Sequence, residues 1–217
     1  MSKNAVPNIF TFGNLACGVL SLMMTFEGNY LWGCIFIMIA GFIDRYDGKV
    51  ARMLQVSSEL GKELDSLADL VSFGVAPSIL VCLLYNFTDL GIIGYLLVII
   101  FPIAGAYRLA RYNTSTFNNV FTGIPITIAG SFLAFYSLVF LIVGKAPTNF
   151  TASSVLVTVL VLLLSYLMIS KFQIKKVWFY ITLFYSCNFN SSSISVSIYS
   201  VSTFPLIDSD LLFIYAR

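Results

Sequence analysis

The sequence predicts an all-α fold, a polytopic membrane bundle of about six transmembrane helices with its N-terminus in the cytoplasm. Three observations carry this. The 217 residues are 59% hydrophobic and only 10% charged, where a soluble domain has roughly a quarter charged residues. Apolar runs recur at roughly 7–26, 31–53, 63–86, 90–110, 122–144 and 152–171. Each is about long enough to cross a hydrocarbon core of about 30 Å at about 1.5 Å per residue.

Taken in order, the first run places Asn8, Thr11, Asn14 and Gly18 within about 120° of a helix surface at about 100° per residue. That polar face must turn into the bundle, either to line a site or to pack helices through small and polar residues. Glu27, Gly28 and Asn29 break the chain before the second run, which ends among Asp44, Asp47 and Arg52. A turn around Gln55–Gly61 leads to the third run, which carries Asp65 and Asp69 and stops at Asn86 to Asp89. The fourth returns with Arg108 and Arg111 near its end, before the polar stretch Asn113 to Asn119. Gly123 and Pro125 shape the start of the fifth, and Gly144 to Asn149 separates it from the sixth.

Orientation follows from the basic residues. With the N-terminus inside, Lys3, Arg45, Lys49, Arg52, Lys62, Arg108, Arg111, Lys171, Lys175 and Lys176 all fall on the cytoplasmic side. Lys145 alone falls outside, and Arg217 is the last residue. The expected location is therefore the cell membrane, with the acidic cluster facing the cytoplasm. No cleavable signal peptide is expected, because no small-residue cleavage site followed by a polar segment appears after Met1. A net charge of +2 gives no case for nucleic-acid binding. Cys17, Cys34, Cys82 and Cys187 lack CxxC spacing, and the first three read as small buried hydrophobes.

Residues 1–176 are expected to form the membrane domain. Residues 177–217 are rich in Ser, Phe, Tyr and Ile and almost uncharged until Asp208. Further spans there, near 177–187 and 194–207, are badly interrupted, and the shift in composition equally suits a divergent or frame-shifted end. This tail is assigned no function.

The chemistry lies between Asp44 and Asp69. Carboxylates at membrane depth cost a few kcal/mol each, on the order of 3, and are rarely present without a task. Asp44 and Asp47 are three apart and Asp65 and Asp69 four apart, so each pair shares a helix face. Antiparallel packing of their two helices sets all four carboxylates opposite one another, where they repel unless cations lie between them. With no histidine in the chain, oxygen-only ligation favours one or two Mg²⁺ or Mn²⁺ ions over Zn²⁺. Gly48 and Ala51 let a ligand approach the backbone, and Arg52 suits bidentate phosphate binding. The competing view, acidic residues in a solvated loop neutralised by Arg45, Lys49, Arg52 and Lys62, explains one aspartate far better than four at helical spacing.

This arrangement, Asp44-x2-Asp47-Gly48-x2-Ala51-Arg52-x8-Gly61-x3-Asp65-x3-Asp69, resembles the signature of the CDP-alcohol phosphotransferase family at every fixed position. The resemblance implies a six-helix domain in which Asp44, Asp47, Asp65 and Asp69 hold two metal ions, usually Mg²⁺ or Mn²⁺. It also implies that Asp69 is the general base and that Gly48, Ala51, Arg52 and Gly61 lie against the CDP moiety; the polar face of the first helix makes Asn8 and Thr11 candidates for its nucleotide side. An alcohol then attacks one phosphorus of a CDP-linked donor and CMP leaves. A homodimer is usual in the family.

The segments Gly61–Pro77, Arg108–Asn113 and Phe121–Pro125, with Pro7, Asn8, Thr11, Asn14 and Gly18, look like one branch, the bacterial and archaeal phosphatidylserine synthases. The resemblance therefore implies transfer of a phosphatidyl group from CDP-diacylglycerol to L-serine. On that view Arg108 and Arg111 hold the serine carboxylate and a donor phosphate, with Asn113 and Tyr112 as polar contacts. Alternatively, both arginines are positive-inside anchors or headgroup contacts. Other acceptors, glycerol 3-phosphate or inositol phosphate, should want a denser basic cluster. A membrane cation transporter would disperse its carboxylates through the membrane in two related halves, and no internal repeat is evident.

Overall fold

A computed structural model of the chain describes residues 5–54, 59–114, 121–143, 152–170 and 173–174, with side chains for 8–46, 59–114, 123–143 and 153–170. Six helical elements lie among these residues: α1 (Ala5–Phe26), α2 (Tyr30–Leu54), α3 (Glu59–Leu84), α4 (Ile92–Thr114), α5 (Ile126–Ile142) and α6 (Ala152–Ile169). The one sheet among the described residues is a two-residue antiparallel pairing of β1 (Phe121–Thr122) with β2 (Gln173–Ile174). The tail beyond Lys176 lies outside the described residues.

Three stretches, Asn8–Phe26, Glu59–Leu84 and Ile92–Thr114, are long and apolar enough to cross a membrane, and Ile126–Ile142 and Ser153–Ile169 are shorter apolar helices. The outside of the bundle is apolar: Phe12, Phe42, Ile92, Ile103, Phe135 and Leu163 are all exposed. Its interior instead buries Thr11, Asn14, Asp69, Ser72 and Arg108 beside Ile37, Phe73, Leu80 and Phe101. Apolar surface of this extent suits lipid, where backbone polar groups must be satisfied within helices. The chain is a membrane protein.

The α1–α2 hairpin closes through a glycine cap. Gly28 adopts φ +78°, its N–H donates to the Thr25 carbonyl at 3.1 Å, and the Asn29 N–H donates to the Met24 carbonyl at 2.8 Å. This double bond pattern is a Schellman motif, which needs a left-handed residue and so favours glycine. Beyond it, the Ser21 hydroxyl donates to the Gly33 carbonyl at 2.8 Å, and α1 packs along α2.

α3 is not uniform. Regular α-helix runs over Glu59–Asp69, a π-helical turn occupies Leu70–Val75, and α-helix resumes over Ala76–Leu84. Pro77, in the first turn after the π segment, lacks an N–H and so suits a position where the ladder restarts. Close packing pins the turn from two sides. A Cβ on Gly18 of α1 would lie 2.9 Å from the Ser72 Cα, and one on Gly130 of α5 would collide with the Phe73 carbonyl oxygen. The Ser72 hydroxyl also donates to the Asn14 carbonyl at 2.9 Å.

α3 begins at Glu59, so Gly61 lies in its first turn and not in the connecting segment expected around Gln55–Gly61. α4 lies along α6, and α2 against α5. Gly123, at φ +78°, sits under the Leu167, Met168 and Ser170 carbonyls at the end of α6.

Candidate active site

The second and third helices bring acidic groups together. Carboxylate oxygens of Asp44 on α2 and of Asp65 and Asp69 on α3 all lie within 4.8 Å of one another. Asp65 and Asp69 share a face because they are four residues apart on one helix. Asp69 is the deepest, at 8% exposure. Asp47, Gly48, Ala51 and Arg52 fall in the last turns of α2, and their side chains lie outside those described.

Asp69 is held from two other helices. Asn14 Nδ2 on α1 donates to its Oδ1 at 3.1 Å, and Thr127 Oγ1 on α5 donates to its Oδ2 at 3.4 Å. Asn14 is fully buried, and its own Oδ1 has no hydrogen-bond partner among the described residues.

α4 faces this group with Arg108, which is 8% exposed and lies within electrostatic range of Asp69. The Arg108 Nε is buried and makes no hydrogen bond among the described residues, so it has donor capacity to spare for an anion. Arg111 is differently employed. Its Nη1 donates to the Ile169 carbonyl at 2.8 Å and its Nη2 approaches the Met168 carbonyl at 3.5 Å. A cation on the carbonyl end of α6 also complements the negative pole of that helix. Asn113 Nδ2 spans Glu63 Oε1 at 3.2 Å and Ser66 Oγ at 3.0 Å, tying α4 to α3. Lys62 lies 5.5 Å over the Tyr112 ring at the same rim.

Among the first-helix residues, Thr11 is buried and Asn8 is half-buried. The inward polar face is therefore real, and its deepest member, Asn14, reaches the acidic cluster. Sequence reasoning placed Asn14 on that face without a partner and passed over Thr127. A hydroxyl at the start of an apolar helix gives no signal by itself.

The donor set fits a hard cation. Three carboxylates converge, no histidine or cysteine joins them among the described residues, and oxygen ligation of this kind is that of Mg²⁺, Mn²⁺ or Ca²⁺.

A membrane helix bundle with an acidic, cation-ready cluster at a helix crossing, faced by a buried arginine, defines a class of membrane enzyme acting on phosphates. The chain belongs to the CDP-alcohol phosphatidyltransferase family, whose model matches residues 4–187. It is 37% identical over 171 residues to the CDP-diacylglycerol–serine O-phosphatidyltransferase of Bacillus subtilis, covering 78% of this chain and 89% of that one. The Helicobacter pylori protein of the same name is 39% identical over 126 residues, 57% of this chain and 53% of its own. An archaetidylserine synthase of Methanothermobacter thermautotrophicus is 35% identical over 130 residues, 58% of this chain and 54% of its own. The chain thus spans most of the first relative and about half of each of the other two.

Proposed function

We propose that this protein transfers the phosphatidyl group of CDP-diacylglycerol to L-serine, releasing CMP. The observation that carries the reading is the convergence of Asp44, Asp65 and Asp69 with Arg108 beside Asp69, in a chain whose relatives bear that activity in their names.

The chemistry balances on these residues. The serine hydroxyl oxygen forms a bond to the phosphorus that carries diacylglycerol. The bond from that phosphorus to the bridging pyrophosphate oxygen breaks, and CMP departs with its electron pair. Asp69 accepts the hydroxyl proton, a task a carboxylate performs when proton loss accompanies attack on an activated phosphorus. Asp44, Asp47, Asp65 and Asp69 would hold the metal, Mg²⁺ or Mn²⁺ and two ions. When bound, such ions neutralise the pyrophosphate and stabilise the charge that develops on its oxygens. Gly48, Ala51, Arg52 and Gly61 receive the CDP moiety, with Asn8 and Thr11 on its nucleotide side.

Arg108 supplies the cation for the serine carboxylate, because its buried Nε is uncommitted among the described residues. Arg111 and Asn113, occupied by α6 and by Glu63 and Ser66, frame that pocket and set its width. The remaining apolar helices, α2 among them, complete six spans, with the N-terminus and the site on the cytoplasmic side of the cell membrane. A lipid donor then enters laterally and a soluble acceptor from the cytoplasm. The membrane domain is residues 1–176, and a homodimer is the expected assembly.

The test is an acceptor screen with purified full-length protein, labelled CDP-diacylglycerol and Mn²⁺ or Mg²⁺. Serine should yield phosphatidylserine and CMP in equal amounts. Reaction with glycerol 3-phosphate or inositol phosphate while serine stays inert would sink the acceptor assignment and leave the family chemistry standing.

A further inference from the structure

The two bonds that reach Asp69 from other helices do more than satisfy a buried acid. Its two oxygens are each bonded from a different direction, Oδ1 by Asn14 on α1 and Oδ2 by Thr127 on α5. Two donors on opposite oxygens fix both the χ2 angle and the plane of a carboxylate, which is otherwise a broad torsion. Each oxygen keeps further lone-pair capacity, and a carboxylate oxygen of Asp69 lies within 4.8 Å of those of Asp44 and Asp65. The donors are themselves held. Asn14 is fully buried and its carbonyl accepts from Ser72, while the Thr127 helix is pressed against the π turn at Gly130 and Phe73.

We infer that Asn14 and Thr127 are positioning residues that clamp the Asp69 carboxylate in the plane needed to share a cation with Asp44 and Asp65 and to face the acceptor hydroxyl. This rests on the proposed role of Asp69. Neither residue touches the reacting atoms; each acts through the acid it holds. Groups that orient a ligating side chain in this way typically alter metal affinity or activity by about 10- to 100-fold when removed.

The experiment compares Thr127→Val, Thr127→Ser and Asn14→Leu in the purified full-length protein. The dissociation constant for Mn²⁺ is measured by electron paramagnetic resonance with no substrate present. kcat and KM for serine, and the melting temperature, are measured beside it. Thr127→Val should weaken Mn²⁺ binding about ten-fold and lower kcat about as much while KM for serine stays within about two-fold. Thr127→Ser keeps the hydroxyl and should recover most of both losses. Asn14→Leu should act in the same direction. Should it fail to fold, the threonine pair decides alone.

Wild-type Mn²⁺ affinity and kcat in Thr127→Val would overturn the clamp. So would a Thr127→Ser protein as impaired as Thr127→Val. If the wild type ignores serine, the acceptor assignment falls by itself, and the Mn²⁺ comparison still decides the clamp.

Discussion

Arg111 Nη1 and the main-chain oxygen of Ile169 meet at 2.8 Å across 58 residues of sequence. The bond closes the carbonyl end of α6 with a guanidinium from the last turn of α4, while Arg108, one turn earlier, is buried within electrostatic range of Asp69. Two arginines three residues apart therefore differ in their surroundings, and the proposed roles differ with them. Arg111→Ala should cost about 1–2 kcal/mol of stability, as a hydrogen bond from a charged donor and a helix-end charge together suggest. Arg108→Ala should raise KM for serine at least about ten-fold, the loss of roughly 1.4 kcal/mol. Thermal melts and serine titrations on both variants separate the roles; equal effects on serine would merge them again.

Asp69→Asn keeps the shape of the side chain while removing its charge and replacing one of the two acceptor oxygens with an amide NH2. Turnover should fall by about 10² to 10⁴, the range that a general base contributes. Binding of CDP-diacylglycerol, followed by equilibrium dialysis, should persist. A variant that turns over at half the normal rate would remove Asp69 as the base.

Chelation should silence the enzyme. EDTA is expected to abolish product formation, and added Mn²⁺ or Mg²⁺ should restore it. Asp44→Asn and Asp65→Asn should each shift the activating metal concentration upward by about ten-fold or more, since one of few charged ligands is lost. Activity that survives exhaustive chelation would dissociate the acidic cluster from any cation.

Gly130→Ala introduces a methyl where α5 touches the Phe73 carbonyl. Backbone cannot yield as a flexible side chain does, so α5 must move. Overpacking of this kind costs about 1–3 kcal/mol, and Thr127 should retreat from Asp69 with the helix. The melting temperature and kcat should fall together. Gly28→Ala, strained only in its own turn and meeting nothing within 4 Å, should lower stability without the same loss of kcat.

Much of this was legible beforehand. The hydropathy runs located the six described helices to within a few residues, because lipid-facing helices such as α4 expose Ile92, Ile99 and Ile103 and leave a strong apolar signal. The inward face of α1 was legible from Asn8, Thr11 and Asn14, and the facing of Asp44 toward Asp65 and Asp69 from their spacing.

Other features carry no such signature. A basic residue near a helix end reads alike whether it is buried near an acidic cluster or caps a neighbouring helix, so Arg111 could not be told from Arg108. The bonds from Asn14 and Thr127 to Asp69 join positions 55 and 58 residues away, beyond any local period. A change of helical pitch at Leu70–Val75 leaves the apolar run intact and therefore invisible to hydropathy.

That wide turn makes chain length, more than composition, the inheritance to be guarded between Asp69 and Pro77. A π turn accommodates one more residue than an α turn. Deleting any one of its six residues would restore an ordinary helix with unaltered hydropathy. The helix beyond would keep its facing, since one residue fewer at α pitch turns through nearly the same angle, but the widened backbone on which Gly18 and Gly130 close would be lost. Conservative apolar exchanges in this stretch should be tolerated in evolution, while single-residue gaps should be purged.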